Sequence, residues 1–171
     1  MRAFLRRLDD AAARGEEIFL AAALGLLTVL VVAAVVFRYA LHDPLTWSEE
    51  FIVLLFGWAI MIGTAYAFHQ RNHIVIDVIL LFAPRWLRIV LGTLSTIATF
   101  VVLAVLVWFG WQYTMREFPN LTPMLGISAA WSILPLTIGC ALSMLHVLRR
   151  LLDDGPQSAL WVEMISRKTD E

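Results

Sequence analysis

Four runs of the chain are almost free of polar side chains: Ile18–Phe37, Phe51–Phe68, Ile89–Trp111 and Leu125–Leu145. A helix crossing the hydrocarbon core of a bilayer needs roughly 20 predominantly apolar residues. The pattern therefore predicts four membrane helices, over about 18–37, 51–68, 86–111 and 125–147. Pro135 interrupts the last of them. A mid-span proline is tolerated where neighbours re-satisfy the carbonyl it frees, and it predicts a kink. Between the second and third runs lies a shorter apolar stretch, Asn72–Ala83, reading NHIVIDVILLFA. It is too short to span, and His73 and Asp77 place a narrow polar stripe on it, so it reads as an amphipathic interfacial helix. Pro84 then suits the first turn of the third span.

The first run is too long for the roughly 7–15-residue core of a cleaved signal peptide, and no A-x-A-like site follows it. It is expected to remain as an anchor. Residues 1–152 are read as a single four-helix membrane domain and 153–171 as a short polar tail. The polar flanks orient the bundle. Eleven cations lie on one side: Arg2, Arg6, Arg7, Arg14, Arg71, Arg85, Arg88, Arg149, Arg150, Arg167 and Lys168. Only Arg38 and Arg116 lie on the other. Positive charge marks cytoplasmic flanks, so both termini are expected in the cytoplasm. Trp47, Trp108, Trp111 and Tyr113 fall at the outer ends, and Tyr66 and Trp86 at the inner ones, as an interfacial aromatic belt requires.

Composition narrows the class further. The chain is 60% hydrophobic and 16% charged, against about 45–50% and 25% for soluble domains. Its net charge of −1 argues against a nucleic-acid partner. One cysteine, Cys140, excludes an internal disulfide or a CxxC site, and its apolar neighbours suggest a small packed side chain. Transporters and channels mark their pathways with ionisable groups inside the membrane. None falls within the four apolar cores, so the chain reads as a scaffold or anchor whose active partner is another protein.

Several residues still invite a chemical reading. His69, His73 and Asp77 recur every four residues, a spacing that metal ligands use; interfacial polar residues are the simpler explanation. His69 and His146 end the second and fourth spans on one side, a position from which a bis-His haem can be imagined. Both sit near headgroup depth. Thr46-Trp47-Ser48-Glu49 has the spacing of a capping box opening the second helix. Glu50 has no such local duty, and Arg38 at the end of the first span is its natural partner. Small residues recur four apart: Ala21 and Gly25, Ala59, Gly63 and Ala67, Gly139 and Ser143. Such ridges let helices approach closely in lipid. Trp58 lies mid-span, far from either interface, and packs either internally or against another protein.

Taken together, Arg38, Trp47-Ser48-Glu49-Glu50, Trp58, Gly63, Ala65, Ala67, Arg71, His73, Asp77 and Trp131-x-x-x-Pro135 resemble the small membrane subunit of tripartite ATP-independent periplasmic (TRAP) transporters. That DctQ-like component carries W-x-E-E opening a helix, W and G-x-A within it, and R-x-x-H-x-x-x-D beyond. Here Arg71 and His73 are one residue closer than in that pattern. The resemblance covers nearly all of residues 15–150. It implies a subunit of a multi-pass complex in the bacterial inner membrane, with no catalytic, cofactor or metal site of its own. It implies as partners a large elevator-type membrane subunit holding the substrate and sodium sites, a periplasmic protein delivering an organic acid such as a C4-dicarboxylate, and membrane lipid. Arg38, Trp47, Glu49, Glu50, Trp58, Gly63, Arg71, His73, Asp77 and Pro135 become the candidate interface or motif residues. A haem- or quinone-associated anchor of a respiratory-type complex is the alternative, and would place axial histidines inside the bundle. A four-span membrane enzyme would need a convergent polar cluster away from the interfaces, which the sequence does not suggest.

Overall fold

The computed structural model describes residues 2–70 and 85–154. Four helices make up these residues: α1, Arg2–Tyr39; α2, Thr46–His69; α3, Arg85–Glu117; and α4, Ala130–Asp154. Each contains a stretch long and apolar enough to cross a membrane. The fold is thus all-helical, with four candidate spans, as the hydropathy pattern predicts. The interfacial helix expected at 72–83 and the tail beyond 154 lie outside the described residues.

The helices outrun the expected spans at several ends, with α2 starting at Thr46, α3 ending at Glu117 and α4 at Asp154, and two further boundaries have an identifiable cause. Polar residues before Ile18 do not stop α1, which runs from Arg2 to Tyr39: Ala11–Glu17 holds no proline, and its one glycine, Gly15, is tolerated within the helix. At the other end of the chain, α4 starts at Ala130 rather than near Leu125. Pro119, Pro123 and Gly126 fold the intervening residues into a small hairpin instead. Gly126 takes φ of +63°, a conformation open to glycine without steric cost. Thr122 N–H donates to Ile127 O at 2.7 Å and Ala129 N–H to Asn120 O at 2.8 Å, so apolar Leu125 serves a turn and not a span.

α4 packs against all three other helices, while α1 rests mainly on α2 and α3 on α4. Ala23 and Leu27 of α1 meet Ala59 of α2 in one apolar cluster; Leu103 of α3 meets Cys140 and Val147 of α4 in another. Among the described glycines the least room is at Gly139, where a Cβ would lie 2.6 Å from the Met61 carbonyl oxygen. Backbone thus meets backbone between α2 and α4, as a small-residue ridge allows. By contrast Gly25 has open space where a side chain would be. Only 11% of the most apolar stretch of α1 is buried, against 39% of that of α4. Most of the bundle's apolar surface therefore faces outward, and lipid is its natural solvent.

Candidate functional site

At the loop end of the bundle the W-x-E-E residues begin α2, but not through a capping box. The cap position is Leu45, with no side-chain cap bond; Ser48 Oγ donates to the Leu45 carbonyl at 2.7 Å and is itself buried. That leaves the Glu49 carboxylate free to turn to Arg38 at the end of α1, with which it forms an exposed ion pair. The expected Arg38–Glu50 pair is therefore not formed. Glu50 points the other way, and its Oε2 accepts from the backbone N–H groups of Met124 (2.8 Å) and Leu125 (3.1 Å). The carboxylate serves two amides of the hairpin before α4. Trp47 stays exposed beside this junction.

About two turns deeper along α2, Trp58 and Pro135 form a pair that residue spacing alone does not reveal. Proline at 135 cannot donate to the carbonyl four residues earlier, that of Trp131, and its ring pushes that carbonyl aside. The Trp58 indole Nε1–H donates to this same carbonyl at 3.1 Å. Its ring also meets Phe19 edge-on at 6.5 Å and Trp131 at 6.3 Å. Trp58 thus packs internally, and the freed carbonyl expected at Pro135 has its donor. Gly63 lies next to Leu20, where a Cβ would meet the leucine methyl at 3.5 Å, ordinary contact. Arg71, His73 and Asp77 lie outside the described residues.

The end of the bundle that carries the termini holds a feature the sequence reading missed. His146 is 3% exposed, and two acidic residues of α1, Asp9 (1%) and Glu16 (4%), are buried with it. His146 Nδ1 lies 2.6 Å from Asp9 Oδ1, and its Nε2 lies 3.1 Å from Glu16 Oε1. His69 of α2 places Nδ1 2.9 Å from Asp9 Oδ2. Arg149 pairs with Asp9 as well, and reaches Asp10 at 2.9 Å. A convergent polar cluster thus closes the terminal end of the bundle. The signal was present. Asp9, Ala13, Glu16, Ala23 and Leu27 all lie on one inward stripe of α1, at the three-, four- and seven-residue spacings of a packed helix face. Counting only charge-free runs cut that stripe at Ile18.

The cluster suits hydrogen-bonded charge better than a metal or haem. Ligand atoms of Asp9, His69 and His146 lie within 4.8 Å of one another. Yet the nitrogen–oxygen separations of 2.6 and 2.9 Å are hydrogen-bond lengths. Ligands at ~2.0–2.2 Å around a tetrahedral zinc would stand about 3.3 Å apart. A guanidinium against the same carboxylate is also a poor neighbour for a dication. Nor do the two imidazoles face each other across a slot for a haem plane: they meet edge-on at 5.2 Å and share one carboxylate.

Comparison with known proteins gives a consistent result. Residues 27–155 match the family described as "Tripartite ATP-independent periplasmic transporters, DctQ component". A C4-dicarboxylate TRAP transporter small permease protein of Vibrio cholerae is 32% identical over 99 residues, 57% of this chain and 42% of that protein. The sialic acid TRAP transporter small permease protein of the same species is 30% identical over 118 residues, 68% and 67% of the two chains. The sialic acid TRAP transporter permease protein of Haemophilus influenzae is 28% identical over 121 residues, 70% of this chain and 20% of its own length. The match thus spans less than half of two of these relatives.

Proposed function

Because the chain belongs to the DctQ component family of TRAP transporters, and is thus a multi-pass transporter subunit rather than an enzyme, we propose that it is a fixed scaffold for a larger membrane subunit. That partner carries the substrate and the sodium ions and makes the moving, elevator-type part. A periplasmic binding protein delivers the cargo, an organic acid such as a C4-dicarboxylate or a sialic acid, the two classes named in the relatives. The complex sits in the bacterial inner membrane, with both termini of this chain in the cytoplasm, following the eleven-to-two asymmetry of cations. No cofactor is assigned to this chain.

The observation that carries the reading is the family match over residues 27–155; the buried ionisable groups Asp9, Glu16 and His146 sit together at the terminal end, and residues 18–37, 51–68, 89–111 and 125–145 hold no Asp, Glu, Lys, Arg or His. Substrate and ion paths through lipid need such groups, whereas a scaffold needs apolar faces and close backbone contacts. The test is reconstitution in proteoliposomes. Uptake of the organic acid under a sodium gradient is expected only when the large subunit and the binding protein are present. Sodium-driven uptake by this chain alone would overturn the scaffold assignment.

A further inference from the structure

The buried cluster at the terminal end of the bundle has a proton count that can be read from its contacts. Both ring nitrogens of His146 face carboxylate oxygens, Asp9 Oδ1 at 2.6 Å and Glu16 Oε1 at 3.1 Å. A carboxylate only accepts, and a neutral imidazole donates from one nitrogen alone. With both carboxyls ionised, two such contacts need two protons, which makes the ring an imidazolium. Charge agrees with this count: Asp9 and Glu16 bring two negative charges, and Arg149 and the His146 imidazolium bring two positive ones. Buried charges persist only when paired in this way. The other groups around the ring, among the described residues, are His69 of α2, edge-on at 5.2 Å, and Asp10, which sits behind Arg149.

We propose that this cluster is a proton-sensitive latch, in which doubly protonated His146 holds the amino-terminal part of α1 against α4 and α2. Removing one proton turns one N–H···carboxylate contact into a lone pair facing a carboxylate oxygen. It also leaves one buried negative charge without its counter-charge. The latch is therefore closed on the acid side of the His146 titration and loosens as pH rises through it. The part released is the α1 segment bearing Asp9 and Glu16, between which, among the described residues, Ala13 is the other buried side chain, and the apolar cluster of α1 begins only at Phe19. A route for the proton is present. A groove of about 370 Å³ between α1 and α2, bordered by Asp10, Arg14, Glu17, Tyr66 and Gln70, opens onto His69. His69 in turn touches both Asp9 and the His146 ring.

The test uses the full chain in lipid nanodiscs, with two readouts followed from about pH 6 to 9. Nitrogen-15 NMR of labelled histidine reports the ring state, and amide hydrogen exchange of residues 8–16, corrected for the intrinsic rate, reports the latch. The expected result is a His146 ring protonated at both nitrogens on the acid side. Protection of residues 8–16 should then fall roughly tenfold or more as the ring titrates, the size of one lost charge-assisted hydrogen bond. His146→Gln should exchange quickly at every pH, whereas Asp43→Asn, at the opposite end, should behave as the parent chain. Three results would each overturn the proposal: a His146 protonated at one nitrogen throughout, protection that stays constant across the range, or a stoichiometric metal ion whose removal by chelator shifts the histidine signals. Should His146→Gln fail to fold, the two readouts on the parent chain still decide.

Discussion

Replacing Trp58 by phenylalanine keeps a ring against Phe19 and Trp131 but removes the N–H that serves the Trp131 carbonyl. A carbonyl left without a donor in the apolar surroundings of a membrane span costs roughly 1–3 kcal/mol. Alanine at 135 supplies the missing backbone N–H, so Trp58→Phe should be costly in the parent chain and nearly silent beside Pro135→Ala. A double-mutant cycle on thermal unfolding in detergent reads this coupling directly. The two glutamates of the W-x-E-E motif should also part company. Glu49→Gln removes only an exposed ion pair with Arg38, worth at most ~1 kcal/mol. Glu50→Ala strands two hairpin amides, so proteolysis between Phe118 and Ala129 should accelerate for Glu50→Ala and not for Glu49→Gln. Single residues were the least legible scale in the sequence. Local spacing suggested a capping box at Thr46 and Glu49, but the cap falls at Leu45 and Arg38 takes the Glu49 carboxylate that the box would use. Glu50 bonds residues 74 and 75 positions away, a distance no local pattern encodes.

Helices were the most legible scale, because in lipid every backbone group must be satisfied within its own segment and apolar length alone betrays the span. Boundaries failed where apolarity and helix diverge. Leu125 is apolar but sits in a turn made by Gly126, while Asp9 and Glu16 are acidic but continue α1. Contacts between helices were legible only in part. The Gly139–Ser143 ridge does mark a close approach, whereas the equivalent Gly25 faces open space. This difference predicts an order of sensitivity. At Gly139 an added methyl meets Met61 backbone at 2.6–2.9 Å, and backbone cannot rotate away. At Gly110 it meets the Thr137 hydroxyl at 2.7 Å, a group that can turn. Gly139→Ala should therefore lower stability by about 1–3 kcal/mol, and Gly110→Ala by less, as measured by thermal unfolding of the two variants in the same detergent.

Across the whole molecule the proposed orientation is directly testable. In a background where buried Cys140 is replaced by serine, cysteines introduced at Asp43 and Asn120 should react with impermeant thiol reagents added from the periplasmic side. One introduced at Asp153 should not. The reverse pattern would invert the bundle. Cation counting reaches this scale because flanking charge acts during insertion, irrespective of how the side chains later pair. The charge cluster escaped the same reading because its members come from three helices and meet only when the bundle closes.

The unequal helices have a consequence for the bilayer itself. Asp9 of α1 is pinned level with His146 and Arg149 of α4, yet α1 then runs to Tyr39, whereas α4 reaches back only to Ala130. At about 1.5 Å per residue, α1 rises roughly 45 Å from that shared level and α4 less than 30 Å. Apart from Leu8, the exposed valines and leucines of α1 lie within Ile18–Phe37, about 30 Å of helix and so the thickness of a typical hydrocarbon core, whereas the apolar part of α4 from Ala130 to Leu145 covers only about 24 Å. A bilayer fitted to α1 is therefore too thick for α4, and thinning beside α4 or a lean of the bundle costs a fraction of a kcal/mol per Å. The subunit thereby becomes a wedge in an elastic sheet, one edge tall and one short, whose resting tilt is set by acyl-chain length as much as by its protein neighbours.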